Sequence, residues 1–289
     1  MVFAPDRGTS MAELLFGAPV AAALTERYAP IAEELAKAGR RPALAAIRVG
    51  EAKEDMAYQR ALAKRCGAMG VAFDALELPG NVSREDLVKK IRDLNGNEAV
   101  HGVLIFRPLP GELDEAARRA LSPEKDVDGI TDGSLAGLLT GAGGFAPCTA
   151  AACIAILEHY GILLRGRRAA VVGRSLVVGR PAALLLCERD ATVTICHSRT
   201  KNLPKILRES EIIIAAAGRA NLLGGECFAP GQVVIDVGMN FADGKLTGDA
   251  DFAAAEKTVA AITPVPGGVG AVTAALLAAN VVRAAKNRG

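Results

Sequence analysis

The chain has no tryptophan, only three tyrosines and three histidines, and little charge imbalance. Without tryptophan, and with aromatic residues at 4% of the composition, it lacks the stacking platforms of single-strand nucleic-acid binders. A formal charge of +2 argues in the same way against a broad nucleic-acid-binding face. The six cysteines, Cys66, Cys148, Cys153, Cys187, Cys196 and Cys227, form no CxxC pair. His101, His159 and His197 stand too far apart for a local metal motif, so no metal is expected. Scattered thiols of this kind read as small reduced hydrophobes in a cytoplasmic protein. The opening "MVFAPDRGTS" has no basic region leading into an apolar run, so no signal peptide is expected. No apolar run is expected to reach the length of a membrane span.

What is present is a long, apolar chain. Half of its 289 residues are hydrophobic, enough for a large core or two domains. Apolar runs at 43–49, 99–106, 168–173, 191–196, 211–217 and 232–238 read as strands. Most are too uniformly apolar to keep a wet face, as in parallel strands covered on both sides. Helical patterns fall at about 19–38, 54–69, 83–94, 150–160, 178–189 and 271–287. The alternation predicts an α/β doubly wound architecture with a parallel sheet. The glycine-rich "GLLTGAGGFAPCT" (137–149) reads as a domain junction. No strand runs directly into its glycines, which argues against a phosphate loop there.

"RAAVVGRSLVVGRPAALLL" reads as strand, tight turn and helix. Gly173 ends the strand, Gly179 opens the helix and Pro181 sits in its first turn. A helix N-terminus can receive a phosphate through free N–H groups and the dipole. The spacing is G-x5-G rather than GxGxxG, and a plain structural turn fits it as well. The next strand ends in "HSRT". At that place dinucleotide-binding units hold the ribose 2′-hydroxyl with a carboxylate. Here it offers His197, Ser198 and Arg199, with Arg174 in the preceding turn. This favours a 2′-phosphate, hence NADP over NAD, although a solvated basic loop has the same composition.

Seven motifs follow one another in a recognisable order: "KDVDG" (125–129), "PCT" (147–149), "VVGRSLVVGRP" (171–181), "CHSRT" (196–200), "VIDVGMN" (234–240), "GDA" (248–250) and "ITPVPGGVG" (262–270). With them the chain resembles the methylenetetrahydrofolate dehydrogenase/cyclohydrolase family from about Met11 onward. The resemblance implies a homodimer of two-domain subunits with a cleft between the domains. Residues 1–148, joined by the C-terminal helix 271–289, would form the folate-binding catalytic domain. Residues 149–270 would form a Rossmann-like NADP-binding domain. It implies Tyr58 and Asp128 as catalytic residues. Leu62, Phe106, Pro266, Gly267 and Gly268 would join them in substrate binding. The implied cofactor set is Gly173, Arg174, Ser175, Val178, Gly179, His197, Ser198, Gly218, Gly238, Met239 and Thr273.

The chain also departs from the family. Where the family carries Tyr-x-x-x-Lys, this chain has Tyr58 and Leu62. Where it carries a glutamine two residues before "PLP", this chain has Phe106. Asp55 replaces a usual serine, "FGA" (16–18) replaces "DGK", and "GVGA" replaces "GVGP". On a helix, Leu62 lies roughly 40° around the axis from Tyr58, and Lys64 roughly 120° away. Arg65 returns to within roughly 20° but about 10 Å further along, and a guanidinium is a poor base. Lys64 is therefore expected on a solvated face, unless the helix is shifted. Phe106 cannot make a glutamine's hydrogen bonds, and Arg107 is expected on the opposite side of its strand.

Oxidation of 5,10-methylenetetrahydrofolate needs proximity and orientation but no obligatory base. Hydrolysis of the methenyl product needs proton transfers. The expected function is therefore an NADP-dependent dehydrogenase acting on a small-molecule folate, with weak or absent cyclohydrolase activity. The alternatives are a bifunctional enzyme using a displaced base such as Lys64, a non-catalytic nucleotide-binding relative, or an enzyme for another one-carbon carrier such as a methanopterin.

Overall fold

A computed structural model describes residues 11–242 and 244–287. In chain order the elements begin with β1 (Glu13–Leu14), α1 (Gly17–Lys37), β2 (Ala43–Val49), α2 (Lys53–Ala68), β3 (Ala72–Leu78), α3 (Arg84–Gly96) and β4 (Gly102–Ile105). Next come α4 (Leu113–Ala120), α5 (Asp132–Thr140), α6 (Cys148–His159), β5 (Arg168–Val172), α7 (Gly179–Cys187), β6 (Thr192–Cys196), α8 (Leu203–Arg208) and β7 (Ile212–Ala215). The last are β8 (Val233–Asp236), β9 (Asn240–Ala242), β10 (Lys245–Thr247), α9 (Phe252–Glu256), β11 (Ala261–Ile262) and α10 (Val269–Asn287).

The chain divides into two compact units. One comprises the residues up to Ala21 with Thr149–Thr273; the other comprises Ala22–Cys148 and the residues from Ala274 onward. The first segment thus departs from the expected boundary. The reason is local: β1 pairs in parallel with β11, placing Glu13 opposite Ala261, and so belongs to the large sheet.

That sheet is six-stranded and parallel, in the order β1-β11-β8-β7-β5-β6. Strands β5, β7 and β8 are buried almost throughout, as their apolar runs require. β6 differs: it is the edge strand, and Thr192, Thr194 and Ile195 are exposed. The uniform burial expected of the strands fails there because β6 has one neighbour only. β5 lies between β6 and β7, so the chain direction across the sheet reverses at β5. In open α/β sheets ligands bind beyond the carboxyl ends of the strands at such a reversal.

The other unit carries a parallel three-stranded sheet, β3-β2-β4. α2 has Glu54 and Asp55 in its first turn and Arg65 in its last, matching the helix dipole. Ser83 caps α3 by accepting the Asp86 N–H at 3.0 Å. One core cluster joins Leu62 and Cys66 of α2, Leu104 of β4, Phe106 and Val127 to Leu277, Ala278 and Val281 of α10. α10 is long and apolar enough to cross a membrane, which corrects the expectation that no stretch reaches that length. Two-thirds of that stretch is buried inside the protein, as for a core helix.

Candidate active site

Tyr58, Phe106, Asp128 and Cys148 belong to one unit and interact. The Tyr58 and Phe106 rings meet edge to face, with centroids 5.7 Å apart at 71°. Tyr58 keeps 37% of its surface exposed, whereas Phe106 is buried. Desolvation raises the Tyr58 phenol well above its usual range, and the neighbouring Asp128, Cys148 and Cys66 add to the effect. Leu62 has no exposed surface at all. Its expected contact with substrate therefore does not fit: the side chain that replaces the family's lysine is wholly enclosed in the core. Lys64 is exposed. Buried Leu62 and Cys66 and exposed Lys64 are the pattern that the helical angles require, without any shift of α2.

Asp128 lies in the turn "KDVDG". Asp126 braces that turn by accepting the N–H groups of Ile130 (3.0 Å) and Thr131 (2.7 Å) and the Ser134 hydroxyl (2.7 Å). The Asp128 carbonyl accepts the Cys148 N–H at 3.2 Å. Burial pushes the Asp128 carboxyl up to about 7, and the nearby Asp126 charge adds to this. The Cys148 thiol and the Arg107 guanidinium pull the other way. Arg107 was expected on the far side of a strand, but β4 ends at Ile105, so strand alternation does not govern it. Asp114 grips it from two sides, accepting Nε at 2.7 Å, and its charge still reaches Asp128. Sequence reasoning singled out neither Arg107 nor Cys148 as part of this group. "PCT" was visible as a motif, but nothing in it showed that the thiol meets an aspartate twenty residues away.

The predicted cofactor residues stand on the other unit, at the carboxyl ends of its strands. Val172 pairs with Cys196, and the Gly173 N–H donates to the Cys196 carbonyl at 2.9 Å. Arg174 therefore leaves the sheet beside His197, Ser198 and Arg199, and Arg174, Ser198 and Arg199 are exposed. Gly173 has φ +132°, and a Cβ there would run into the Ala216 carbonyl. The loops after β5 and β7 approach so closely that only glycine fits.

The α7 N-terminus differs from expectation. The Val178 and Gly179 N–H groups donate to Ser175 Oγ (3.1 and 3.4 Å), and the Arg180 N–H donates to the Ser175 carbonyl (3.0 Å). Ser175 takes up these first N–H groups from the preceding turn, and Pro181 has no N–H to offer. The free donors expected there are already used.

Two buried carboxylates hold the remaining cofactor loops. Asp249 accepts the N–H groups of Ala217 (2.5 Å), Gly218 (2.9 Å) and Arg219 (2.8 Å), and the Asn240 amide (2.9 Å). Asp236 accepts those of Gly238, Asp249 and Ala250, each at 2.9 Å. Met239 projects outward with 71% of its surface exposed. In "TPVPGGVG" the Val265–Pro266 bond is cis. The Gly267 carbonyl accepts the Gly17 N–H at 2.8 Å, which ties "FGA" to this loop. The Thr273 hydroxyl donates to Val269 one turn back. A basic turn beside an exposed serine, with no carboxylate at that strand end, fits a phosphorylated dinucleotide.

Residues 15–128 match the model of the tetrahydrofolate dehydrogenase/cyclohydrolase catalytic domain, and residues 147–289 match that of its NAD(P)-binding domain. The chain belongs to the tetrahydrofolate dehydrogenase/cyclohydrolase family. The bifunctional protein FolD of Carboxydothermus hydrogenoformans is 46% identical over 279 residues, which are 95% of this chain and 97% of that protein. Among solved structures, the bifunctional methylenetetrahydrofolate dehydrogenase/cyclohydrolase FolD of Campylobacter jejuni superposes with a TM-score of 0.93 at 37% identity. The match covers 96% of this chain and all of that one. The Trypanosoma brucei enzyme, solved with NADP and an inhibitor, gives 0.90 at 36% identity over 96% and 98% of the two chains. Family membership and the two-domain α/β fold, both expected from the motifs, are thereby established. The leucine that the sequence places one turn after the tyrosine of α2 is wholly buried.

Proposed function

We propose that this chain is an NADP-dependent methylenetetrahydrofolate dehydrogenase whose cyclohydrolase activity is weak or absent. Family membership supports the dehydrogenase. The enclosure of Leu62 and Phe106 in the core is the observation that carries the second half. We assign folate to the unit that holds Tyr58 and Asp128, and the cofactor to the unit that holds Gly173 and Arg174.

The Asp128 carboxylate accepts hydrogen bonds from the pterin amino and ring N–H groups. This orients the carbon to be oxidised. Tyr58, partly exposed and backed by the buried Phe106 ring, offers the aromatic surface beside Asp128 on which the pterin rests. NADP, held by the unit that carries Gly173 and Arg174, would supply the acceptor for the hydride that leaves the methylene carbon. The cation left on the substrate is shared by its own two nitrogens, so no side chain has to remove a proton. Arg174, Ser198 and Arg199 would hold the 2′-phosphate, the arginines by charge-assisted hydrogen bonds. Hydrolysis of the methenyl group needs a side chain to move protons around an attacking water. Leu62 and Phe106 have none to give or take. Lys64, the displaced base of the bifunctional alternative, is exposed on another face of α2, and its position lends that reading no support.

We further propose a cytoplasmic homodimer. The scattered unpaired thiols suit a reducing compartment. Exposed Thr192, Thr194 and Ile195 on the edge strand β6 offer a surface for a second copy. Light scattering tests the dimer. Following methenyltetrahydrofolate and NADPH by absorbance, after methylenetetrahydrofolate and NADP are mixed with the protein, tests the activity. Equimolar formation of both is expected, and no NADPH would refute it.

A further inference from the structure

Asn280 lies on α10, 153 residues beyond Val127, and is 5% exposed. Both hydrogens of its amide are used. One goes to the Val127 carbonyl at 2.9 Å and the other to Cys148 Sγ at 3.4 Å. Its oxygen accepts from Arg283 at 3.2 Å, and that guanidinium stacks over the Phe145 ring at 5.3 Å. These partners fix the orientation of the amide. Flipped, it would set its oxygen against the Val127 carbonyl and its NH2 against a guanidinium.

Val127 and Cys148 both adjoin Asp128. Val127 precedes it in the chain. Cys148 donates its N–H to the Asp128 carbonyl and its thiol hydrogen to the Val127 carbonyl at 3.3 Å, and the thiol also acts on the Asp128 carboxyl. A turn braced only by Asp126 would leave the Asp128 side free to swing. The amide from α10 closes that side. Nothing else in the proposed reaction requires a buried asparagine at this point of an otherwise apolar helix face.

We infer that Asn280 is a positioning residue for folate recognition: through Val127 and the Cys148 thiol it sets the place and the charge state of the Asp128 carboxylate. The inference rests on the reading of Asp128 as the pterin acceptor. The charged and titratable groups acting on Asp128 are Asp126, Arg107, Cys148 and Tyr58. Asn280 is the uncharged member that orients the thiol among them.

Asn280→Asp tests this, because it keeps the shape and the bond from Arg283 but cannot donate to Val127 or Cys148. The Cys148 thiol would then turn its hydrogen from the Val127 carbonyl to the new carboxylate and loosen the turn that carries Asp128. Folate affinity, measured by titration on the full chain, is expected to fall roughly tenfold, the effect of one lost charge-linked hydrogen bond. NADP affinity should stay within twofold. The pH midpoint of folate binding should move upward, and Cys148→Ala, which adds no charge, should move it in the same direction, which a merely structural role would not produce. Asn280→Gln, which keeps the donor, should recover part of the loss. If Asn280→Asp does not fold, Cys148→Ala removes the same link and should shift the midpoint in the same direction.

Native-like folate affinity and an unmoved midpoint in whichever variant folds would overturn the inference. Asp128→Asn, measured beside them, separates the two levels. If Asp128→Asn abolishes folate binding while the Asn280 and Cys148 variants bind normally, the positioning role alone is wrong. If Asp128→Asn also binds normally, the reading of Asp128 fails and the inference falls with it.

Discussion

Leu62→Lys puts an amine where the family pattern has one, in a place this structure has sealed with hydrocarbon. Leu62 is fully buried among Cys66, Phe106 and the apolar face of α10. Losing the buried leucine costs about 1.5–3 kcal/mol. Enclosing an amine adds several kcal/mol, lowered if it sheds its proton, so its pKa should fall well below that of a free lysine. Together the single substitution should cost on the order of 4 kcal/mol and lower the melting temperature by roughly 10 °C. Adding Phe106→Gln supplies a hydrogen-bond partner but gives up the edge contact with Tyr58, about 0.5–1.5 kcal/mol. The double variant should therefore stay less stable than the native chain while gaining some hydrolysis of methenyltetrahydrofolate. Partial rescue is the expectation, because Asp55 and the wider shell also depart from the pattern and catalytic geometry tolerates little misplacement. Thermal melts and the decay of the methenyl absorbance are the assays. If Leu62→Lys melted with the native protein, position 62 would not be the enclosed site described here. The account of the lost base would then fail.

Arg174→Ala should raise KM for NADP roughly ten- to a hundred-fold, the effect of one or two charge-assisted contacts, and barely change KM for NAD. Equal losses for both cofactors would remove the 2′-phosphate assignment. Asp128→Ala should abolish folate binding and leave NADP binding intact. In the native protein, folate affinity should rise with pH and level off above about 7, where Asp128 is ionised. The same raised pKa makes the folded state hold a proton that the unfolded chain, near 3.9, has released. Stability should therefore fall as pH rises from about 4 to about 7, and Asp128→Asn should flatten that slope in urea titrations. Asp249→Asn should loosen the loops that carry Gly218 and Asn240. It should weaken NADP binding more than folate binding, as paired titrations would show.

The sequence made the buried elements legible and hid the exposed and short ones. β5, β7 and β8 could be read because their apolar runs lie in the sheet interior. β3 was not read, because "AFDALEL" is an edge strand with Asp74 and Glu77 in it. α5 was taken into the glycine-rich junction; it runs to Thr140 and stops where Gly141 adopts φ +72°. β1 and β11 are two residues each, too short for any periodicity to mark. At the site, Tyr58, Asp128 and the missing base were suggested by the resemblance to the family's motifs, and helical angle placed Lys64 away from Tyr58. Cys148, Arg107, Asn280 and Asp249 could not. Their roles arise from partners 20 or more residues away, which no local pattern encodes.

The central claim is that oxidation proceeds and hydrolysis does not. The most direct test adds methenyltetrahydrofolate to the native protein and follows its decay against buffer alone. The two rates should coincide, and Lys64→Ala should leave them unchanged. Rapid protein-dependent decay that Lys64→Ala abolishes would contradict the claim. It would mean that α2 presents Lys64 to the substrate and that the enzyme is bifunctional.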